Sequence, residues 1–283
     1  MRWDEGVSAQ IALIVGGGDL PLLIVESLQK KKIPFIIICF DSVKIDTPIS
    51  ELRVLHVNFE NIAQLFDDLK KMKIDRVAFC GYFTPPKINF DQIEPKSQPI
   101  ITKLVSKLDK GDSILFDEII NQFKKKSISI INLFELIPES FAEPGVLTAV
   151  KPSIADTKDI IRAEELFASI SKGDLGQSLI VEDGRCLGVE ASPGTDALLE
   201  FIIQIVRPQI SEHSSEIRGV FYKAPKIGQS LLIDIPVIGE KTVRNVKQSG
   251  LSGIAIKAQK VIILNKAGTV KLANELGVFI WSK

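Results

Sequence analysis

Residues 11–24 read IALIVGGGDLPLLI, and this stretch decides the fold of the first half of the chain. The apolar run Ile11–Val15 predicts a short buried strand, and three glycines follow it directly. Apolar residues then recur at helical spacing between Leu20 and Leu28. A strand, a glycine turn and a helix in this order are typical of the opening of an α/β domain.

The glycine turn of Gly16, Gly17 and Gly18 has two interpretations. Glycine lets the backbone approach a ligand closely, and the amides at a helix N-terminus attract phosphate. The turn matches neither GxGxxG nor a P-loop, and Asp19 would repel a phosphate placed there. A nucleotide-binding turn and a merely tight strand-to-helix turn both remain open.

The rest of the first half alternates strands with helices. Strands are predicted over residues 34–40, 52–57, 76–81 and 127–136, and helices over residues 61–72, over 101–108 and from 112 onward. This alternation predicts a parallel, doubly wound sheet in a domain that extends to residue 148. Ligands of such sheets bind beyond the carboxyl ends of the strands, which points to the glycine turn and to Gly81 and Tyr82. His56 is interpreted as a packed core histidine, and Asp112 or Ser113 as a helix cap.

The second half, residues 149–283, predicts an α+β domain with a mixed sheet. Asp183-Gly184 lies between two apolar runs, which is a strong hairpin signal and requires antiparallel pairing. Helices are predicted over residues 155–170, 195–206, 240–249 and 269–276, and further strands over 253–257, 261–264 and 278–281. Thr195 is predicted as the N-cap of its helix, and this helix start is interpreted either as a plain cap or as an anion site.

The composition is that of a globular protein, with 45% hydrophobic and 25% charged residues among 283. Lys plus Arg and Asp plus Glu are both 35, so no overall charge favours nucleic acid. Three scattered cysteines and two histidines make a structural zinc site improbable and favour a reducing cytoplasm. No apolar run reaches the roughly 18 residues of a membrane-spanning helix.

Residues 218–243 carry the charged groups best suited to phosphate binding and catalysis. Runs over 220–222 and 231–233 are predicted as strands on either side of a loop that contains Lys223 and Lys226. Two ammonium groups at this spacing suit phosphate, and Asp234 after the second run suits a metal ligand or general base. The alternative is a solvated lysine loop beside an ordinary strand-end aspartate.

Several segments in chain order resemble a known family. They are LIVGGGDLPLLI, FCGYF, KGD from Lys110, DLGQSLIVEDGRCLGVEASPGTDALL, KAPKIGQSLLIDIPVIGEKTV and the terminal LGVF. They are similar to the UDP-2,3-diacylglucosamine pyrophosphatases of lipid A biosynthesis, of the type distinct from the calcineurin-like enzyme. The resemblance covers nearly the whole chain from Ile11 onward. It implies a Rossmann-like N-terminal domain and a C-terminal catalytic domain.

The resemblance also implies Mg²⁺-dependent hydrolysis of UDP-2,3-diacylglucosamine to UMP and 2,3-diacylglucosamine 1-phosphate. The family's essential aspartate falls on Asp234, expected to be catalytic either as a metal ligand of Mg²⁺ or as the group that orients the attacking water. Lys223 and Lys226 are expected to be catalytic near the diphosphate, where they stabilise developing charge. The expected substrate-binding residues are Gly16, Gly17, Gly18, Gly81, Tyr82, Lys110, Asp112, Gln177, Thr195 and Asp196. A homodimer and a peripheral contact with the inner membrane are compatible with the resemblance and with a lipid substrate.

The sequence departs from the family pattern near the central aspartate. Ser230 stands where an acidic residue follows the glutamine, Leu232 where an arginine precedes the aspartate, and Ser113 where a second aspartate is common. These departures concern secondary metal and phosphate contacts. The alternatives are a non-catalytic nucleotide-sugar-binding protein and a nucleotide-dependent oxidoreductase, the latter disfavoured by the missing third fingerprint glycine.

Overall fold

The computed structural model describes residues 11–43, 49, 52–84, 86–210 and 218–283. It contains two compact units. The first consists of Met1–Pro138 with Ser230–Asp234, and the second of Glu139–Gln229 with Ile235–Lys283. Within the described ranges, every helix is too short or too polar to cross a membrane.

The first unit is built on a five-stranded parallel sheet with the strand order β3-β2-β1-β4-β5. The strands are β1 (Ile11–Val15), β2 (Phe35–Phe40), β3 (Val54–Val57), β4 (Arg76–Cys80) and β5 (Ser129–Ile130). Every residue of β1 is buried, as expected of a central parallel strand covered on both faces. The predicted parallel α/β domain is confirmed.

Five helices whose bounds lie within the described residues accompany this sheet. They are α1 (Leu20–Lys30), α2 (Ile62–Lys71), α3 (Gln98–Val105), α4 (Asp112–Lys125) and α5 (Leu133–Leu136). Phe66 of α2 and Phe123 of α4 meet edge to face, with ring centres 5.1 Å apart. Phe123 also meets Phe79 of β4 edge to face at 5.5 Å. These aromatic contacts fix two helices on one face of the sheet.

Three local predictions in the first unit are wrong. The strand predicted over 127–136 is only β5, because the Asn132 side chain accepts a hydrogen bond from the Phe134 amide at 2.9 Å and caps α5 instead. His56 is exposed, with Nδ1 3.9 Å from Asp41, and is not a core residue. Neither Asp112 nor Ser113 caps α4, since Gly111, with φ of 98°, occupies the cap position.

The second unit is built on a six-stranded mixed sheet with the order β6-β13-β11-β9-β7-β8. Its strands are β6 (Gly145–Val146), β7 (Ser178–Glu182), β8 (Arg185–Val189), β9 (Val220–Lys223), β11 (Gly253–Ile256) and β13 (Phe279–Ser282). Strands β9, β11 and β13 are parallel, whereas β6, β7 and β8 pair antiparallel. A separate parallel pair joins β10 (Val237–Ile238) and β12 (Ile262–Ile263). The predicted mixed sheet and the Asp183-Gly184 hairpin are confirmed.

Helices cover both faces of the mixed sheet. They are α6 (Ile154–Ile170), α7 (Thr195–Phe201) continued by a π-helical turn (Ile202–Val206), α8 (Arg207–Ile210), α9 (Glu240–Gln248) and α10 (Lys266–Leu276). One core holds residues of α6 with Val220 and Tyr222, and the other holds residues of α7, α9 and α10 with Phe221. The two cores separate alternate residues of β9, as the pleat of a strand requires.

Two further predictions in these regions are wrong. Thr195 is the first residue of α7, and Gly194, with φ of 88°, precedes it in the cap position. Residues 231–233 form a turn instead of a strand. The Ser230 hydroxyl oxygen lies 3.4 Å from the Leu232 amide, a local bond that competes with a strand ladder.

Candidate functional site

Lys223 ends β9 with its side chain on the face of the sheet where α7 begins. Alternation along the strand places it on the same side as Phe221, opposite Tyr222. Ser178 of the antiparallel neighbour β7 is its register partner. Although it is a lysine, Lys223 is only 5% exposed. A buried ammonium requires compensating partners.

The partners of Lys223 form a polar cluster in the second unit. Its Nζ donates to Thr195 Oγ1 at the start of α7 and lies 3.9 Å from Glu190 Oε2. Glu190 Oε2 also accepts hydrogen bonds from Thr195 Oγ1 at 2.9 Å and from Ser178 Oγ. We call Ser178, Glu190, Thr195 and Lys223 the Lys223 cluster. It joins two predicted site residues, Lys223 and Thr195, to two that the sequence reasoning missed.

Lys226 is held in a tight loop after β9. Its backbone carbonyl accepts from the Gln229 amide at 3.0 Å, and its amide donates to Gln229 Oε1 at 2.9 Å. Gly228, with φ of 81°, permits this turn. Lys226 as a whole is 6% exposed, and its side chain pairs with the Asp174 carboxylate. The predicted loop is therefore confirmed for Lys226, whereas Lys223 lies at the end of β9. Both lysines are buried and paired, and neither is solvated.

The other predicted residues of the second unit have separate contacts. Asp196 lies beside Thr195 but is exposed, and its carboxylate pairs with Lys241 at 2.7 Å and with Asn245 at 3.3 Å. Gln177 accepts a backbone hydrogen bond from Ala224 at 3.0 Å, which fixes the start of the lysine loop. Their proposed contacts with a substrate stay predictions.

An apolar cavity of about 280 Å³ lies in the first unit. Its lining includes Phe40, Phe59, Phe79, Phe83, Phe116 and Ile233. Gly81, Tyr82, Asp112 and Asp234 also line it, so the structure brings four predicted site residues together. The cavity begins where β2 and β4 end, as the rule for ligand sites of parallel sheets predicts.

Asp234 reaches this cavity from a turn, and not from the end of a strand. Residues Ser230–Asp234 belong to the first unit, and Ile233 is 5% exposed in its core. Asp234 itself is half-buried in the cavity wall. Asp112, exposed in the first turn of α4, is a second carboxylate among the described residues of the wall. Lys110 lies in the preceding 3-10 turn, exposed to solvent.

The glycine turn after β1 is packed against Tyr82. The Gly16 amide donates to Cys80 O at 2.7 Å, and Gly17 and Tyr82 exchange backbone hydrogen bonds of 2.9 and 3.0 Å. Two of the amides that could receive a phosphate are thus engaged within the protein. A Cβ on Gly17 would lie 2.3 Å from the Tyr82 ring, so glycine allows this close approach.

Burial keeps two groups beside these sites in their neutral forms. Burial raises the pKa of the Cys80 thiol, which precedes Gly81, so this thiol is a poor nucleophile. Burial, and secondly the charge of Glu164, raise the pKa of Tyr222, which precedes Lys223. Among the described residues, no group of three or more His, Cys, Asp or Glu side chains is arranged to hold a metal.

Glu190, Ser178 and Asp174 were missed because their roles depend on distant partners. Glu190 stands in the polar turn before α7, where a carboxylate is ordinary, and Ser178 opens a strand. A signal for Glu190 does exist. Glu190 directly follows the hairpin strand β8, and Lys223 ends β9, which lies on the other side of β7. Both strands run antiparallel to β7, so their ends lie at the same end of the sheet, where a buried lysine needs an acidic partner.

Comparison with protein families gives two matches in chain order. Residues 10–140 match the LpxI N-terminal domain, and residues 143–281 match the LpxI C-terminal domain. The fold and the sequence together therefore define a class of two-domain proteins, in which a parallel α/β domain precedes a mixed-sheet domain. The chain belongs to the LpxI family, which confirms the resemblance inferred from the motifs.

A curated relative is similar over almost the full length. The UDP-2,3-diacylglucosamine pyrophosphatase LpxI of Caulobacter vibrioides is 27% identical over 272 residues, which make up 96% of each chain. Similarity of this extent includes both units of the structure.

Proposed function

We propose that this protein hydrolyses the pyrophosphate bond of UDP-2,3-diacylglucosamine and releases UMP and 2,3-diacylglucosamine 1-phosphate. Membership of the LpxI family and the name of the Caulobacter relative support this activity. The reaction needs a site that accepts acyl chains and also carries carboxylates near the phosphates.

The observation that carries the proposal is a carboxylate, Asp234, in the wall of an apolar cavity. An acyl chain of the substrate gains free energy by leaving water for such a cavity. We assign an acyl chain to it. The apolar side of α7 suits this role less well, because Leu198, Leu199 and Ile202 are buried in the core of the second unit, and Phe201 alone of the four is exposed.

Asp234 is assigned as the oxygen ligand of Mg²⁺ or as the group that orients the attacking water. Mg²⁺ commonly binds through one or two carboxylates and the phosphates of its substrate, so Asp234 with Asp112 in the same cavity wall suits it. A bound Mg²⁺ would neutralise phosphate charge and make a bound water more acidic. Asp234 would supply negative charge beside the bound Mg²⁺, and the apolar walls of the cavity would exclude bulk water.

Lys223 and Lys226 are assigned to the charge that develops on the phosphates. Both are at most 6% exposed, and a charge fixed in a poorly solvated position acts more strongly than one in water. Thr195 and Asp174 already hold their ammonium groups in place. The lysines therefore need little reorganisation when charge develops.

Release of UMP from UDP-2,3-diacylglucosamine tests the proposal. Wild type with Mg²⁺ should release UMP, EDTA should stop it, and Asp234→Asn should lower kcat/KM by about 100-fold or more. Asp109→Asn is a matched control, because Asp109 is exposed in the 3-10 turn near Asp112. Its activity should equal that of wild type.

Two results would contradict the proposal. Full activity of a folded Asp234→Asn variant would remove Asp234 from the reaction. Tight binding of the UDP-sugar by wild type without UMP release, in the presence of Mg²⁺, would instead favour a nucleotide-sugar-binding protein.

A further inference from the structure

Glu190 is a buried carboxylate whose position is fixed by its surroundings. It directly follows β8 and is 9% exposed. Its amide donates to Ser178 O at 2.8 Å, and its carbonyl accepts from the Gly176 amide at 2.9 Å. The side chain packs directly on Gly176, where an added Cβ would lie 2.4 Å from Glu190 Cβ. The carboxylate therefore has little freedom to move.

The chemistry of the Lys223 cluster fixes the direction of its hydrogen bonds. An ionised carboxylate only accepts and an ammonium only donates. The single hydroxyl proton of Thr195 must therefore point to Glu190, and its lone pairs to Lys223. Ser178, which is fully buried, donates to the same carboxylate oxygen. Glu190 thus orients the hydroxyl that receives the hydrogen bond from Lys223.

We propose that Glu190 is a positioning residue that acts through Thr195 to hold the Lys223 ammonium in place for a phosphate of the substrate. The inference rests on the proposed function, in which Lys223 stabilises charge on the phosphates. The negative charge of Glu190, 3.9 Å from the Lys223 ammonium, also offsets the cost of burying that cation. Glu190 itself does not need to touch the substrate.

A double-mutant cycle on stability tests the pairing without any need for activity. Glu190→Gln leaves a buried cation without its carboxylate, and Lys223→Met leaves a buried carboxylate without its cation. Each single variant should unfold at a lower urea concentration than wild type, and the double variant at a higher one than Lys223→Met. Trp281 of β13 reports unfolding of the second unit in a Trp3→Phe background, since the chain has two tryptophans.

Arg162 and Glu165 provide a matched control for that cycle. They form an ion pair of 3.1 Å in the same unit, but both side chains are about half exposed. The effects of Arg162→Met and Glu165→Gln should therefore add, since exposed pairs contribute little.

A second cycle on kcat/KM tests the functional coupling. Glu190→Gln should lower kcat/KM about 10-fold, as is usual when a supporting partner is lost. In the Lys223→Met background the same change should alter kcat/KM by less than about twofold, because its effect passes through Lys223. Thr195→Ser, which retains the hydroxyl, should keep most of the activity.

The stability cycle tests the pairing of Glu190 with Lys223, and the kcat/KM cycle tests the positioning role of Glu190. Additive stability effects of Glu190→Gln and Lys223→Met would overturn the pairing. Coupled stability with multiplicative effects on kcat/KM would overturn the positioning role. If wild type releases no UMP, the proposed function fails, and the stability cycle alone decides whether Glu190 holds Lys223.

Discussion

Gly16 illustrates how one residue is constrained by its neighbours. A Cβ at this position would lie 2.2 Å from the carbonyl oxygen of Tyr82. That carbonyl cannot shift without breaking the backbone pair between Gly17 and Tyr82. Gly16→Ala should therefore lower the free energy of unfolding of the first unit by about 1–3 kcal/mol, as measured by urea unfolding.

Gly173→Ala is the matched control for Gly16→Ala. A Cβ at Gly173 would meet no atom of the described chain within 4 Å. Its effect should stay within about 0.5 kcal/mol. Equal effects of the two substitutions would show that the contact with Tyr82 does not restrict Gly16.

At the same scale, the functional roles of Lys223 and Lys226 stay predictions, whereas the structure shows surroundings that the sequence does not indicate. The spacing of Lys223 and Lys226 predicts a pair of ammonium groups near phosphate. Their burial depends on Glu190 and Asp174, which are remote in the sequence, and no local pattern shows this. The predicted cap at Thr195 is wrong because the cap position has a positive φ of 88°, which Gly194 adopts readily and a β-branched threonine rarely does.

At the scale of elements, Asp159 of α6 holds the turn of the β7–β8 hairpin. Its carboxylate accepts from the Asp183 amide at 3.0 Å and from the Gly184 amide at 2.7 Å. Asp159→Ala removes both acceptors and should destabilise the second unit by about 1–3 kcal/mol. Amide hydrogen exchange should accelerate at Asp183 and Gly184 before it does in β9.

Glu165→Ala on the same helix is the control for Asp159→Ala. Glu165 is exposed, so the hairpin amides should keep their protection in that variant. Unchanged exchange at Asp183 and Gly184 in Asp159→Ala would mean that the turn is stable without α6.

Elements with strong periodicity are predicted well, and short apolar runs are not. The helix over 155–170 and the strand Ile11–Val15 match the structure closely, because each carries a long or uniformly apolar pattern. The runs 127–136 and 231–233 look the same locally. The first contains an asparagine that caps a helix, and the second a serine that closes a turn.

At the scale of the molecule, Ile233 belongs to the first unit although it lies far along the chain. It is 5% exposed within the core cluster that includes Ile14 and Phe79. Ile233→Ala should cost about 2–5 kcal/mol. Amide exchange should accelerate in β1 and β4, while β9 and β11 keep their protection.

Ile227→Ala tests whether this effect is specific. Ile227 lies in the same stretch of sequence but is 61% exposed, so its truncation should leave exchange in both units unchanged. Loss of protection in β9 and β11 on Ile233→Ala would assign the residue to the second unit instead.

The alternation of strands and helices predicts the parallel sheet, and the Asp183-Gly184 pair predicts antiparallel strands in the other half. The path of Ser230–Asp234 could not be predicted, because membership of a unit depends on contacts and not on position in the chain. This five-residue segment places Asp234 in the wall of the apolar cavity. The departures at Ser230 and Leu232 fall in the same segment.

Turnover of acylated and unacylated substrates tests the central claim most directly. Wild type and Asp234→Asn would be assayed with Mg²⁺ on UDP-2,3-diacylglucosamine and on UDP-N-acetylglucosamine, with UMP and the sugar phosphate measured together. We predict equal amounts of both products from the acylated substrate with wild type alone, and none from the unacylated one. Equal turnover of the two substrates, or activity that survives in Asp234→Asn, would contradict a reaction centred on Asp234 beside an acyl-binding cavity.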